Sequence, residues 1–131
     1  MNQEERTIAE LLELNGRLLK SIATADWAAY EELCDPTITA FEPEARGFRI
    51  EGLDFHRFYF NLGGISGDYN ITLCDPHVRL LGDVAIVTYV RLVQRLDDAG
   101  KPVTHRGEET RVWARSAGRW RHVHFHRSAN A

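Results

Sequence analysis

The second half of the chain limits its fold more than any other feature. From Tyr69 onward, β-prone segments at residues 71–81, 84–96, 103–115 and 122–127 are separated by Gly82-Asp83, by Asp97-Asp98-Ala99-Gly100 and by Ser116-Ala117-Gly118. Turns this short and this rich in glycine and aspartate join antiparallel neighbours, so the segments predict a meander. Side chains alternate between the two faces of a strand. Tyr89, Arg91 and Val93 therefore share one face, as do Glu109, Arg111 and Trp113, and Val123, Phe125 and Arg127. Three cations, Arg91, Arg111 and Arg127, converge on one side of an otherwise apolar sheet.

A guanidinium is almost never buried unpaired, because taking an ion out of water costs several kcal/mol even after relaxation. Two outcomes are open. Acidic neighbours such as Glu109 or Glu44 neutralise the trio, or the arginines await an anion whose carboxylate or phosphate oxygens match the paired donors of a guanidinium. In the second case Arg111, at mid-strand, is uncompensated, and replacing it leaves the fold intact while removing anion affinity.

The first half reads as helical. Ile8, Leu11, Leu12, Leu18, Leu19 and Ile22 recur at helical spacing, with Glu4, Glu5, Glu10, Glu13, Arg17 and Lys20 mostly on the other side. Thr24-Ala25-Asp26 interrupts this helix, and Asp26 is placed to cap a second one carrying Trp27, Tyr30 and Leu33, which Asp35-Pro36 ends. A short β run follows at residues 37–41, then the loop Glu42-Pro43-Glu44-Ala45-Arg46-Gly47. A third short helix is expected within residues 53–62, with Phe55, Phe58 and Tyr59 in the core. Helices first and a meander afterwards define an α+β domain, its N-terminal helices packed in a strongly curved antiparallel sheet that encloses a cone-shaped cavity.

Composition narrows the function classes. With 131 residues, 44% of them hydrophobic, a single domain over residues 1–131 buries about two thirds of its unfolded surface and needs neither metal nor disulfide. A net charge of −3 argues against general nucleic-acid binding, and no apolar stretch approaches the length of a membrane span. Cys34 and Cys74 are isolated, and the opening Met-Asn-Gln-Glu-Glu-Arg lacks the apolar run of a signal peptide, which points to the cytoplasm. No cofactor is expected, and the partners are small molecules or protein.

Several stretches carry a resemblance. Ala40-Phe41-Glu42-Pro43-Glu44-Ala45, Glu51-Gly52-Leu53-Asp54-Phe55-His56-Arg57-Phe58-Tyr59-Phe60, Asp75-Pro76-His77, residues 108–113 and Val123-His124-Phe125-His126-Arg127 closely resemble the association (hub) domain of calcium/calmodulin-dependent protein kinase II. The resemblance covers nearly the whole chain, in order and with similar spacing. It implies a cone like that of nuclear transport factor 2, self-assembly through dimers into large rings, and a deep pocket lined by arginines. Arg91, Arg111 and Arg127 match the family's pocket arginines, and His56 matches a histidine at its mouth. No glycine-rich phosphate loop with its lysine is present, and Asp54-Phe55-His56 falls in a helix rather than a metal-binding loop, so a stand-alone domain without kinase chemistry is expected. The shorter loop Asn61-Leu62-Gly63-Gly64-Ile65-Ser66-Gly67 lacks the tryptophan that some members carry near the pocket mouth.

His122, His124 and His126 alternate on the face opposite the arginines. Their Cα atoms are about 7 Å apart along the strand, without nearby acidic ligands, so no metal site is expected. Together with Val90, Leu92 and Val112 the row instead suits a sheet-to-sheet subunit interface, which histidine titration makes responsive to mild acid. Enzymes also occur on this cone, and a small polyketide-cyclase or ketosteroid-isomerase-like isomerase, dehydratase or hydrolase is the alternative. Its candidates are His56, Tyr89 and Glu109 as acid or base, with an arginine stabilising an oxyanion. No nucleophile pairs with a base by spacing alone. The expected protein is a self-associating domain that binds a small anion.

Overall fold

The computed structural model describes residues 1–128, and residues 129–131 of the expected 1–131 domain lie outside the described residues. Helix α1 (Gln3–Thr24) starts where the Asn2 side chain accepts the Glu5 amide at 2.8 Å and stops at Ala25, in the left-handed region with φ 54°. Thr7, Leu11, Asn15 and Leu18 form a buried stripe at spacings of three and four, so the helix lays one face on the sheet. Asp26 accepts the Ala29 amide and starts α2 (Trp27–Leu33), which runs directly into β1 (Cys34–Phe41). A single 3₁₀ turn at Pro43–Ala45, the two-residue β2 (Ile50–Glu51) and α3 (Asp54–Asn61) lead to the long strands β3 (Tyr69–Leu81), β4 (Val84–Leu96), β5 (Pro102–Ser116) and β6 (Arg119–Arg127).

The sheet order is β2-β1-β6-β5-β4-β3. The meander β3 to β6 is antiparallel, as the turns require, but β1 lies parallel to β6, so the sheet is mixed rather than wholly antiparallel. A parallel pair needs a long crossover, and the chain from α3 through β5 provides it. The core on the concave side gathers Leu11, Leu18 and Leu19 of α1, Tyr30 and Leu33 of α2, Ile38 and Ala40 of β1, and Val87, Trp113 and Phe125 of the long strands.

Two irregularities bend this sheet. On β6 the register passes from Val112 opposite His124 to Trp113 opposite His122, which leaves Val123 as an extra residue. One inserted residue reverses strand parity, so His122 turns inward beside Phe125 instead of outward beside His124. On β3 the register shifts between Cys74 and His77, where Asp75 takes φ 50°. Helix α3 also departs from expectation. His56 is its buried residue, whereas Phe58 is 61% and Tyr59 40% exposed. Residues 55, 58 and 59 and residues 56 and 60 make two competing stripes on one short helix; the second faces the cone, and of the first only Phe55 packs against the core as expected.

The segment after α3 is hooked to the end of α1 by the Ile65 amide, which donates to the Ala23 carbonyl at 2.8 Å. A Cβ on Gly64 would lie 2.4 Å from that same carbonyl oxygen and 2.8 Å from the Thr24 carbonyl carbon, both fixed backbone. Gly64→Ala therefore forces the loop off α1. The expected loss is about 1–3 kcal/mol, as for other overpacked sites, seen as a lower urea midpoint with an unchanged slope.

Candidate functional site

Glu109 stands at the centre of the concave face. Cross-strand pairing puts Tyr89 of β4 on one side of it and Arg127 of β6 on the other. Its side chain is fully buried, and each oxygen meets a cation: Oε1 lies 3.0 Å from a terminal nitrogen of Arg111, and Oε2 lies 3.0 Å from Nε of Arg91. The Tyr89 hydroxyl donates to Oε1 at 2.5 Å and accepts from Asn15 Nδ2 at 3.0 Å and from Arg111 Nε at 2.9 Å. One donor and two lone pairs are all used. Trp113 Nε1 donates to Asn15 Oδ1 at 3.1 Å, so α1, β4 and β5 are tied through a single buried amide.

Behind this network Arg111 lies with its guanidinium carbon 4.5 Å from the Phe125 ring centroid and one nitrogen 3.5 Å from His122 Nε2. A guanidinium only donates. His122 Nε2 is thus the acceptor, and the neutral ring carries its proton on Nδ1, facing Cys34 Sγ at 3.5 Å. Burial and then the Arg111 charge push the His122 pKa well below its ordinary value. Burial likewise pushes the Cys34 thiol up to about 12, which leaves it an inert packing group.

The rim is built from β1 and the turn after it. Ile38, Ala40 and Glu42 alternate inward, and Glu42 Oε1 lies 3.0 Å from His56 Nε2, although neither His56 ring nitrogen has an aligned hydrogen-bond partner. Arg127 Nη2 donates to both oxygens of Glu44 and lies 3.8 Å from Glu42 Oε2. A cavity of about 290 Å³ opens between these groups, polar on the side of Arg91, Arg111 and Arg127 and apolar on the side of Ile22, Tyr30 and Phe60.

The three arginines and His56 do converge, and each guanidinium has a carboxylate beside it. Arg111 is accordingly not the uncompensated cation of the second sequence outcome: burial opposes its charge, but Glu109 together with Tyr89 and Tyr30 more than offsets this and holds it protonated. Glu42 and Asn15 escaped the sequence reading. The signals were present, since Glu42 continues the inward parity of Ile38 and Ala40, and Asn15 sits on the apolar stripe of α1 where a polar group needs a buried partner. Of the three histidines expected on the outer face, only His124 and His126 are there, His124 Nδ1 lying 2.7 Å from Thr39 Oγ1. His122 cannot serve an interface. Val90, Leu92 and Val112 lie half-buried on that outer face. Among the described residues no three His, Cys, Asp or Glu side chains gather as a metal would require, and no helix is long and apolar enough to cross a membrane.

For acid–base chemistry two of the three candidates, Tyr89 and Glu109, are poorly placed. Burial raises the Tyr89 pKa, which keeps the phenol protonated. Burial also opposes the Glu109 charge, but Arg111 and Arg91 outweigh it and hold the carboxyl below its usual range. A general base needs a lone pair free to take a proton near neutral pH; Glu109 has its charge committed to two cations.

A mixed sheet curled around an N-terminal helix, with a polar pocket in its concave face, defines the nuclear transport factor 2-like cone. A putative dehydratase of that family from Streptomyces avermitilis shares the fold, with a TM-score of 0.79 at 18% identity over 98% of this chain and 99% of that one. Residues 5–131 match the model of the calcium/calmodulin-dependent protein kinase II association domain, and the chain belongs to this family. The calcium/calmodulin-dependent protein kinase type II alpha chain of Drosophila melanogaster is 47% identical over 125 residues, 93% of this chain and 24% of that protein. The association domain of the C. elegans kinase superposes with a TM-score of 0.92 at 41% identity, covering 98% of this chain and 100% of that one. The chain thus spans about a quarter of the length of the curated relative.

Removing Arg111 strands Glu109 and half of the Tyr89 network. Arg111→Met is expected to cost about 3–5 kcal/mol, as when one partner of a buried ion pair is lost, measured by chemical denaturation. The pH dependence has a definite sign. His122 has a folded pKa below its unfolded one, so the unfolded chain protonates first and stability falls as pH drops below about 6.5, with a smaller contribution of the same sign from His124. The Glu109 contribution is present above about pH 4.3 and is lost as pH falls through its lower folded pKa. His122→Gln should flatten the decline between pH 6.5 and 5 in urea midpoints while leaving the acid limb.

Proposed function

We propose that this protein is a self-associating hub-type domain of the cytoplasm, whose concave pocket takes a small carboxylate-bearing or phosphate-bearing ligand. The observation that carries the ligand reading is the pocket itself. Three guanidiniums face one cavity of about 290 Å³, beside His56 ring nitrogens that lack aligned hydrogen-bond partners. Buried polar atoms are normally satisfied, and an anion with a hydroxyl or water at its edge supplies partners for them. The apolar wall of Tyr30, Phe60 and Phe125 suits the carbon skeleton of such a ligand.

Self-association draws on two supports. The related chains bear the name association domain, and Val90, Leu92 and Val112 with His124 and His126 make an outer face of apolar and imidazole groups on the longest strands. Two such faces packed together would form an isologous dimer. Cys34 and Cys74 are both free thiols, which fits a reducing compartment. Small enzymes of the cyclase or isomerase type use the same cone, but Tyr89 and Glu109 spend their protons and charges on structure here, which favours binding over turnover.

Light scattering at low micromolar concentration is expected to give a mass at least twice 15.0 kDa; a monomer overturns the hub reading. Benzoate, chosen for a carboxylate on an apolar ring, is expected to raise the melting temperature of the wild type saturably. No shift at any concentration overturns the ligand reading while leaving self-association intact.

A further inference from the structure

The charged groups in and directly behind the pocket are balanced: Arg91, Arg111 and Arg127 against Glu42 and Glu44 at the cavity and Glu109 behind the first two arginines. A neutral cavity gives an entering anion no net attraction, so an anion site needs one carboxylate to step aside. The three acids differ in how readily they do so. Glu109 is fully buried with a cation 3.0 Å from each oxygen, and the Glu42 side chain is 6% exposed beside His56. Glu44 is 36% exposed and, among the described residues, pairs with Arg127 alone. It rides on the 3₁₀ turn Pro43–Ala45, which ends at Arg46 in the left-handed region and Gly47 at φ 92°, outside the regular strands. Moving a carboxylate that already touches water costs little desolvation, whereas moving either of the others leaves a buried cation bare.

We infer that Glu44 is an internal counter-anion that holds the binding place of Arg127, and that an incoming carboxylate enters by displacing it into solvent. The inference rests on the anion-site reading above and identifies the residue that an entering anion must displace. With Glu44 swung out, the pocket carries one net positive charge, which a monoanion neutralises. A dianion overshoots to a net negative site beside Glu42 and Glu109. The two acids that stay in place, Glu42 and Glu109, therefore favour singly charged carboxylates over doubly charged phosphate, whether or not Glu44 carries its charge.

Calorimetric titration of the full chain with benzoate and with inorganic phosphate at pH 7.5 and low salt, wild type against Glu44→Gln, tests this. The glutamine keeps the shape of the side chain and removes its charge. Glu44→Gln is expected to bind benzoate about two- to fivefold tighter, the scale of a partly exposed ion pair, with phosphate binding more weakly than benzoate in both proteins. Glu44→Ala repeats the measurement and should change affinity in the same direction, which guards against an effect peculiar to the amide. If the wild type binds benzoate but both variants bind it equally or more weakly, Glu44 is a structural partner of Arg127 and the inference is overturned. If neither wild type nor variants bind either anion, the anion site itself is overturned and this inference falls with it.

Discussion

One carboxylate organises the interior. Glu109 lies on β5 with Tyr89 and Arg127 across from it on the adjoining strands, and Arg91 and Arg111 close around its two oxygens. A lone charge at that depth is prohibitive, and so is either arginine without it; together they form a set in which loss of any member exposes the others. The set also has a mechanical role. Tyr89 passes the connection to Asn15, and Asn15 to Trp113, so the first helix is registered against the sheet by directional bonds and not by apolar contact alone. Apolar packing tolerates sliding by a fraction of a turn. A hydrogen-bonded amide does not.

Curvature determines where the pocket forms. The bulge that leaves Val123 unpaired turns His122 into the core, where it stacks on Phe125 at 5.6 Å between ring centroids and supports the ring beneath Arg111. The same bulge sharpens the bend of β6, which brings Arg127 toward the turn after β1. There the parallel pairing of β1 with β6 places Glu42 and Glu44 opposite it. Deep in the cone the charges are locked by burial, and at its mouth they are held by groups that still touch water. The contrast is what would let one wall of arginines serve both stability and the anion binding we propose.

Much of this was legible in the chain. Period-two alternation located all four long strands, and glycine-aspartate turns located their junctions, because both signals act within a few residues. The helix stripe and the Asp26 cap were equally local. Parity along each strand was enough to put Arg91, Arg111 and Arg127 on one face. What parity could not show was the inserted residue on β6, since a bulge is a property of two paired strands; His122 was therefore assigned to the wrong face. Phe58 and Tyr59 misled for a related reason: a short helix with two apolar stripes has no preferred side until something docks against it.

The sequence by itself determined the α+β class, the strand order of the meander and the family, for these follow from local periodicity, turn chemistry and extended motif similarity. Only the tertiary structure decided whether the arginines are paired. Glu109 is two residues from Arg111, but Glu42 and Glu44 are more than eighty residues from Arg127, and nothing in the chain between them announces that they meet. Neutralisation of a buried charge is a demand that sequence can state; which acid answers it depends on the fold bringing one within about 4 Å, because electrostatic pairing strong enough to offset desolvation acts only at contact.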